Sequence, residues 1–362
     1  MAGVRAPIAV PKVPSRRAHG HCRAVPSRET LKSSKGRYGP MVLTRSPVFA
    51  DALRAAVRAP SPHNTQPWLF ELTPDTIDVL LDESRVLGAC DAEAREARLA
   101  CGAAILNLRL AIAAAGRISE VEFAPERDKP ALLARVTLGP RHRPTATERR
   151  LAAAIPRRYS NRRPFTDDPV PLRVRTAVRE AAREEGARLV LLDEAGLLEA
   201  TAGLVRRADH LQGLDAAFQR ELRAWTRHTA EDDGVPASSG GPRSAGGLLP
   251  GRYVNESGAP RVFEQDPLVA VLTTPNDAAV SQVRAGCAMQ RVLLTATDAG
   301  LSASFYSQPV EIAAVRAELR ALLGDAGHPQ TVFRLGYGSP GVTTPRRPIE
   351  AVARDRQETE RS

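Results

Sequence analysis

The chain has 362 residues, 43% of them hydrophobic, enough to build two packed units around a sizeable core without disulfide staples. Its net charge of +10 sits mostly in residues 1–40, where nine basic residues face Glu29 alone, so 9 − 1 = 8 belong there and +2 to the remainder. Charge confined to a proline-rich arm without interleaved aromatics argues against specific nucleic-acid binding, and no run is read as the roughly eighteen apolar residues of a membrane span.

The arm, residues 1–40, lacks apolar periodicity and is expected to be disordered. It has no apolar stretch of signal-peptide kind, which predicts a cytoplasmic protein, and Met41 directly precedes the first foldable sequence, which favours a start there over Met1. Residues 47–58 alternate apolar and polar groups at helical spacing and must stop before Pro60. The next stretch, Arg58-Ala-Pro-Ser-Pro-His-Asn-Thr-Gln-Pro-Trp68, carries three prolines and reads as a rigid, extended turn. It would present Ser61, His63, Asn64 and Gln66 together, a set able to hydrogen-bond the polar edge of a planar ligand. Residues 68–72 and 77–81 then read as a hairpin, and 92–115 as a long helix apolar on most of its circumference.

Residues 139–147 read as a polar connector, and 148–154 as a short helix delivering Arg157-Arg-Tyr-Ser-Asn-Arg-Arg-Pro-Phe165. Guanidinium groups bind phosphate through paired, charge-assisted hydrogen bonds, and Ser160 adds a hydroxyl. Helices are expected over 172–185 and 194–229, on either side of a strand at 187–192. Residues 230–262 are rich in Gly, Ser and Pro, and a loop of that length inside a compact unit suggests a lid. A buried strand at 267–274, a helix over 278–299 and the segment Gly300-Leu-Ser-Ala-Ser-Phe305 follow, with Thr344-Pro-Arg-Arg-Pro348 near the end. Cys22, Cys90, Cys101 and Cys287 show no C-x-x-C spacing, so neither a zinc site nor a disulfide framework is expected; Cys101 and Cys287 read as small buried thiols.

The Ser61-to-Trp68 stretch resembles the S-x-x-N-x-Q-P-W segment of flavin-dependent nitroreductases, closest in wording to the Acg-like FMN-binding subgroup, and 157–165 is similar to the family's Arg-rich opening. Phe165 stands one residue further from Arg162 than the family pattern has it, leaving Arg162 or Arg163 for the last basic position. Family members carry the Arg-rich opening first; here the order is reversed. An internal repeat accounts for this: the run from Arg98 through Gly116 to Phe123 parallels that from Arg284 through Gly300 to Phe305, and the copies end in Val136–Gly139 and Phe333–Gly336.

The resemblance therefore implies an α+β nitroreductase-like fold, internally duplicated so that one chain mimics a homodimer. The first unit would span 41–145 and the second 146–350, with the lid at 230–262 and a tail at 351–362. It implies one FMN per chain, held at a composite site by Ser61, His63, Asn64, Gln66, Arg158, Ser160, Arg162, Ser304, Arg346 and Arg347, with either of the last two reaching the phosphate. It also implies NAD(P)H as hydride donor, a nitroaromatic, quinone or similar planar acceptor, and a monomeric pseudo-dimer or homodimer. No side chain is assigned a catalytic role, since the flavin carries the chemistry. The alternative is a protein that stores or sequesters FMN behind a closed lid.

Overall fold

The computed structural model describes residues 47–229, 231–242, 244–246, 249, 261–264 and 266–356. The basic arm and the middle of the expected lid lie outside the described residues. Helix α1 (Pro47–Ala56) buries Phe49, Ala52, Leu53 and Ala56 on one face. Strands β1 (Trp68–Leu72) and β2 (Thr76–Leu81) form the expected hairpin, with Trp68 opposite Leu81. Helix α2 (Arg95–Ala114) follows, then β3 (Arg117–Phe123) and β4 (Leu132–Arg141). Because β4 runs to Arg141, the polar connector is shorter than expected. Thr145 and Glu148 close a reciprocal capping box at the start of α3 (Ala146–Ala154).

The second half holds α4 (Leu172–Glu184), β5 (Arg188–Leu191), α5 (Ala195–Leu214) and α6 (Ala216–Ala224). Asp215 breaks the expected long helix by accepting hydrogen bonds from Ala217 N and Phe218 N, which caps α6. Two short parallel pairs come next, β6 (Thr226–Arg227) with β7 (Val235–Pro236) and β8 (Ser244–Gly246) with β9 (Arg261–Val262). The chain finishes with β10 (Leu268–Thr274), α7 (Ala279–Asp298), β11 (Ser302–Phe305), α8 (Gln308–Glu311), α9 (Ala313–Leu322), β12 (His328–Gly336) and β13 (Ala353–Asp355).

The first sheet has the order β13-β1-β2-β4-β3 and the second β11-β12-β10-β5. Leaving out β13 and the elements that the second half places between β5 and β10 and between β11 and β12, each half reads strand, strand, long helix, strand, strand, with the same neighbour order and antiparallel pairing. Strand β13 corrects the expectation of a tail from 351: it pairs parallel with β1, Phe70 against Ala353, and completes the sheet of the opposite half. Three residues are too few to show a strand period in sequence.

Helices α2 and α7 cross at the centre of the fold. A Cβ on Gly102 would lie 1.9 Å from Val283 O, and one on Gly286 2.0 Å from Leu99 O, so only glycine permits this approach. Cys287 Sγ donates to Gly102 O (3.1 Å) and Gln290 Nε2 to Asn107 Oδ1 (2.8 Å) across the same crossing. Burial pushes the Cys101 and Cys287 thiols well above their ordinary range, which leaves them inert. By length and composition α2 could cross a membrane, but 78% of its apolar window is buried inside the fold.

Candidate functional site

The turn after α1 is not extended. Pro62–Asn64 form a single 3₁₀ turn, and His63, Asn64 and Gln66 take φ values of 48°, 57° and 53°. Left-handed backbone at non-glycine residues costs about 1–3 kcal/mol each and persists only where the surroundings impose it. Here the side chains impose it. Asn64 Nδ2 donates to Gly234 O (2.9 Å) and Pro345 O (3.1 Å), and its Oδ1 accepts from Arg346 (3.0 Å). Gln66 Nε2 donates to Asp232 O (2.9 Å), its Oε1 accepts from Arg347 N (2.8 Å), and its own N–H donates to Ser61 Oγ (3.0 Å).

These bonds bear on two of the residues expected at the site. Gln66 is fully buried behind the turn and does not line the cavity described below. Nor does Arg347, whose guanidinium is turned to Ala351 O (2.9 Å) and lies 3.8 Å from Asp82. Asn64 does reach the cavity, but its amide is spent tying 234 and 345–346 to the turn. A buried backbone without regular structure must satisfy its polar groups somehow, and these side chains do it.

The cavity itself is lined from both halves of the chain. Ser61, His63 and Asn64 come from the turn, and Glu96, Leu99 and Ala100 from the first turns of α2. Arg158, Ser160 and Arg162 come from the Arg-rich segment, and Met289 from α7. Ser304 and Phe305 come from β11, Thr331 and Arg334 from β12, and Thr344 and Arg346 from the C-terminal stretch. The Arg-rich segment is held beside β11 by a parallel bridge between Ser160 and Ala303 and by Asn161 N donating to Ala303 O (2.8 Å). Of the two ambiguous pairs, Arg162 and Arg346 line the cavity; Arg163 is exposed, donating to Pro340 O (2.9 Å).

One part of the cavity is strongly positive. Arg158, 7% exposed, donates to Arg58 O (3.3 Å), and Arg346 donates to Ala59 O (3.1 Å) and Thr344 Oγ1 (2.6 Å). Among the described residues neither guanidinium is ion-paired with a carboxylate, and the Nε of each is buried without a partner. Burial pushes Arg158 down to about 10; burial, with Arg158 and Arg58 adding repulsion, pushes Arg346 down to about 9. Both still carry their charge at neutral pH. Two uncompensated buried cations side by side make a site for an anion.

A second arginine site was not foreseen. Arg334, 2% exposed, is ion-paired with Glu264, donates to Arg163 O (2.8 Å), and lies over the rings of Phe165 (4.1 Å) and Phe263 (5.1 Å). Glu264 also accepts from Phe165 N (2.9 Å), so the pair joins the end of the 230–262 stretch to the Arg-rich segment. The sequence signal for it is an arginine inside the otherwise apolar strand run Thr331-Val-Phe-Arg-Leu335. Leu99 and Ala100 of α2 and Met289 of α7 are the apolar wall. Among described residues of the expected lid, Gly241 and Pro242 line the cavity, and Asp233 is ion-paired with Arg85 and Arg227.

The family model described as the nitroreductase family matches residues 155–337. Over 323 residues the chain is 32% identical to the provisionally named NAD(P)H nitroreductase acg of Mycobacterium tuberculosis H37Rv, covering 86% of this chain and 97% of that one. This chain belongs to the nitroreductase family. A second relative from the same strain, provisionally named NAD(P)H nitroreductase Rv3131, is 33% identical over 312 residues, covering 83% of this chain and 89% of its own. Among solved structures, a nitroreductase with bound FMN from Desulfitobacterium hafniense DCB-2 is 16% identical and covers 55% of this chain and 94% of its own, with a TM-score of 0.36. The family match and these relatives make the mixed α and β architecture nitroreductase-like.

Proposed function

We propose that the cavity binds one FMN per chain and that the protein is an FMN-dependent NAD(P)H oxidoreductase, reducing a nitroaromatic, quinone or similar planar acceptor. The observation that carries this reading is the buried, carboxylate-free pair Arg158 and Arg346, whose orphaned Nε atoms fit a phosphate dianion. Ser160 and Thr344 add hydroxyls beside them, and Leu99, Ala100, Met289 and Phe305 supply an apolar wall for a flat ring. When bound, FMN supplies hydride acceptance and transfer. The chain's own residues neutralise the phosphate, place the ring and exclude water; Ser304, on buried β11, is assigned a place beside the ring.

The same reading makes the chain two nitroreductase-like units fused in tandem. It is supported by the shared strand order of the two sheets and by the glycine-mediated crossing of α2 with α7. The composite cavity then needs both units, since the Ser61–Asn64 turn comes from one and Arg158 and Ser160 from the other. Anaerobic titration with NADPH and then dithionite, with the releasable FMN counted, tests the proposal. One FMN per chain, bleached by NADPH, is expected. Bleaching by dithionite alone would point to sequestration, two FMN per chain would overturn the composite site, and failure to take up FMN would overturn the reading altogether.

A further inference from the structure

A second cavity of about 150 Å³ adjoins the main one and shares Glu96 with it. On its wall the Cys90 thiol and the carboxylates of Glu96 and Glu311 bring their ligand atoms within 4.8 Å of one another. The imidazole of His63 lies beside the thiol, with Nε2 3.8 Å from Cys90 Sγ, and stands outside the 4.8 Å group. These residues come from the turn before β1, the loop before α2, the start of α2 and the end of α8. No local spacing connects them, so a search for paired cysteines passes over the set.

The donor chemistry is specific. Thiolate, imidazole and two carboxylates suit zinc and its neighbours in the first transition row, whereas calcium and magnesium take oxygen ligands alone. Bonds of about 2.0–2.3 Å in a tetrahedral zinc site place ligand atoms roughly 3.3–3.8 Å apart. For Cys90, Glu96 and Glu311, separations within 4.8 Å reach that by side-chain shifts of about an ångström, while His63 closes on the ion from the thiol side by a larger movement.

The surroundings agree. Cys90 is 4% exposed, and its N–H donates to Glu221 Oε2 (2.8 Å), which fixes the loop that carries the thiol. Gln212 Nε2 donates to Glu311 and orients that carboxylate, as groups behind metal ligands do. Arg95 and Arg316 also line the cavity, but they are ion-paired with Asp277 and Glu93.

We propose that Cys90, Glu96 and Glu311, with His63 as fourth donor, form a binding site for a divalent transition-metal ion of the zinc class. Glu96 and His63 also line the main cavity, so the site borders whatever occupies it.

Cobalt(II) titrated into the purified full chain is the probe, because a thiolate ligand gives cobalt a charge-transfer band that nitrogen and oxygen ligands do not. Flavin absorption is removed by difference spectra. The expected result is a band that saturates at about one equivalent, is displaced by zinc, and is lost in Cys90→Ser. Since His19, His21 and Cys22 offer another thiol and imidazole set, the band must survive their combined replacement, His19→Ala, His21→Ala and Cys22→Ser. No saturable band, or one that persists in Cys90→Ser, overturns the proposal. Should Cys90→Ser lose its cooperative melt, Glu311→Gln keeps the thiol and is expected to weaken cobalt binding at least about tenfold; unchanged affinity in that variant overturns the site equally.

Discussion

Replacing Arg158 by methionine should move two measurements in opposite directions. The guanidinium is buried, and burial lowers it from 12.5 to about 10, a depression worth at most roughly 3 kcal/mol of unfavourable charge burial at neutral pH. The sign is that of a cation disfavoured in the folded state, which costs stability at every pH below its folded pKa. Against this stands one lost hydrogen bond, to Arg58 O (3.3 Å), worth about 1 kcal/mol. Methionine keeps most of the side-chain volume and carries no charge. Flavin-free Arg158→Met should therefore be more stable than the parent by roughly 1–2 kcal/mol, at about 2–4 °C in Tm for each, whereas most substitutions destabilise. The same change removes a charge-assisted contact to phosphate worth about 1.5–3 kcal/mol, so the Kd for FMN should rise about tenfold to a hundredfold. Thermal unfolding of the flavin-free protein and fluorescence titration with FMN give the two readings. A variant less stable than its parent, with FMN affinity unchanged, would refute the assignment of Arg158 to an anion site.

Gly286→Ala would place a methyl group 2.0 Å from Leu99 O, where ordinary contact begins at 3.4 Å. Helices α2 and α7 would have to separate by about 1.4 Å, at a cost of about 1–3 kcal/mol or more, and the wall formed by Leu99 and Met289 would open, so both Tm and flavin retention should fall together. Gln66→Ala should cost about 2 kcal/mol by stranding Asp232 O and Arg347 N, and should expose residues 231–242 to limited proteolysis; loss of flavin with stability and cleavage unchanged would instead make Gln66 a direct ligand. Burial raises Asp233, but hydrogen bonds from Arg227 and Arg85 outweigh it and hold the carboxyl below 3.8. Its stabilising contribution is therefore present above about pH 4 and lost as pH falls through the folded value, and Asp233→Asn should flatten the acid limb of the denaturation profile.

Much of the fold was legible because its signals are local. The helical period of 47–58, the alternation through 68–81 and the all-round apolar character of α2 depend on neighbours within a few residues, and the elements form where that pattern puts them. The Arg-rich segment and the turn around Asn64 were also visible, since polar groups packed between prolines are unusual in any core. What the sequence could not say is which way each polar side chain points. Asn64 and Gln66 turn to carbonyl groups about 170 residues away, Arg346 enters the cavity while adjacent Arg347 leaves it, and Arg334 finds Glu264 across 70 residues. Those choices follow from the crossing of α2 with α7 and from β13 joining β1, contacts between residues about 180 to 280 positions apart. Chain composition alone determined that this protein has the materials for an anion site and an apolar wall; only tertiary packing decided which arginines remain without a carboxylate, because a buried charge is satisfied, or left unsatisfied, by whatever distant groups the fold brings beside it.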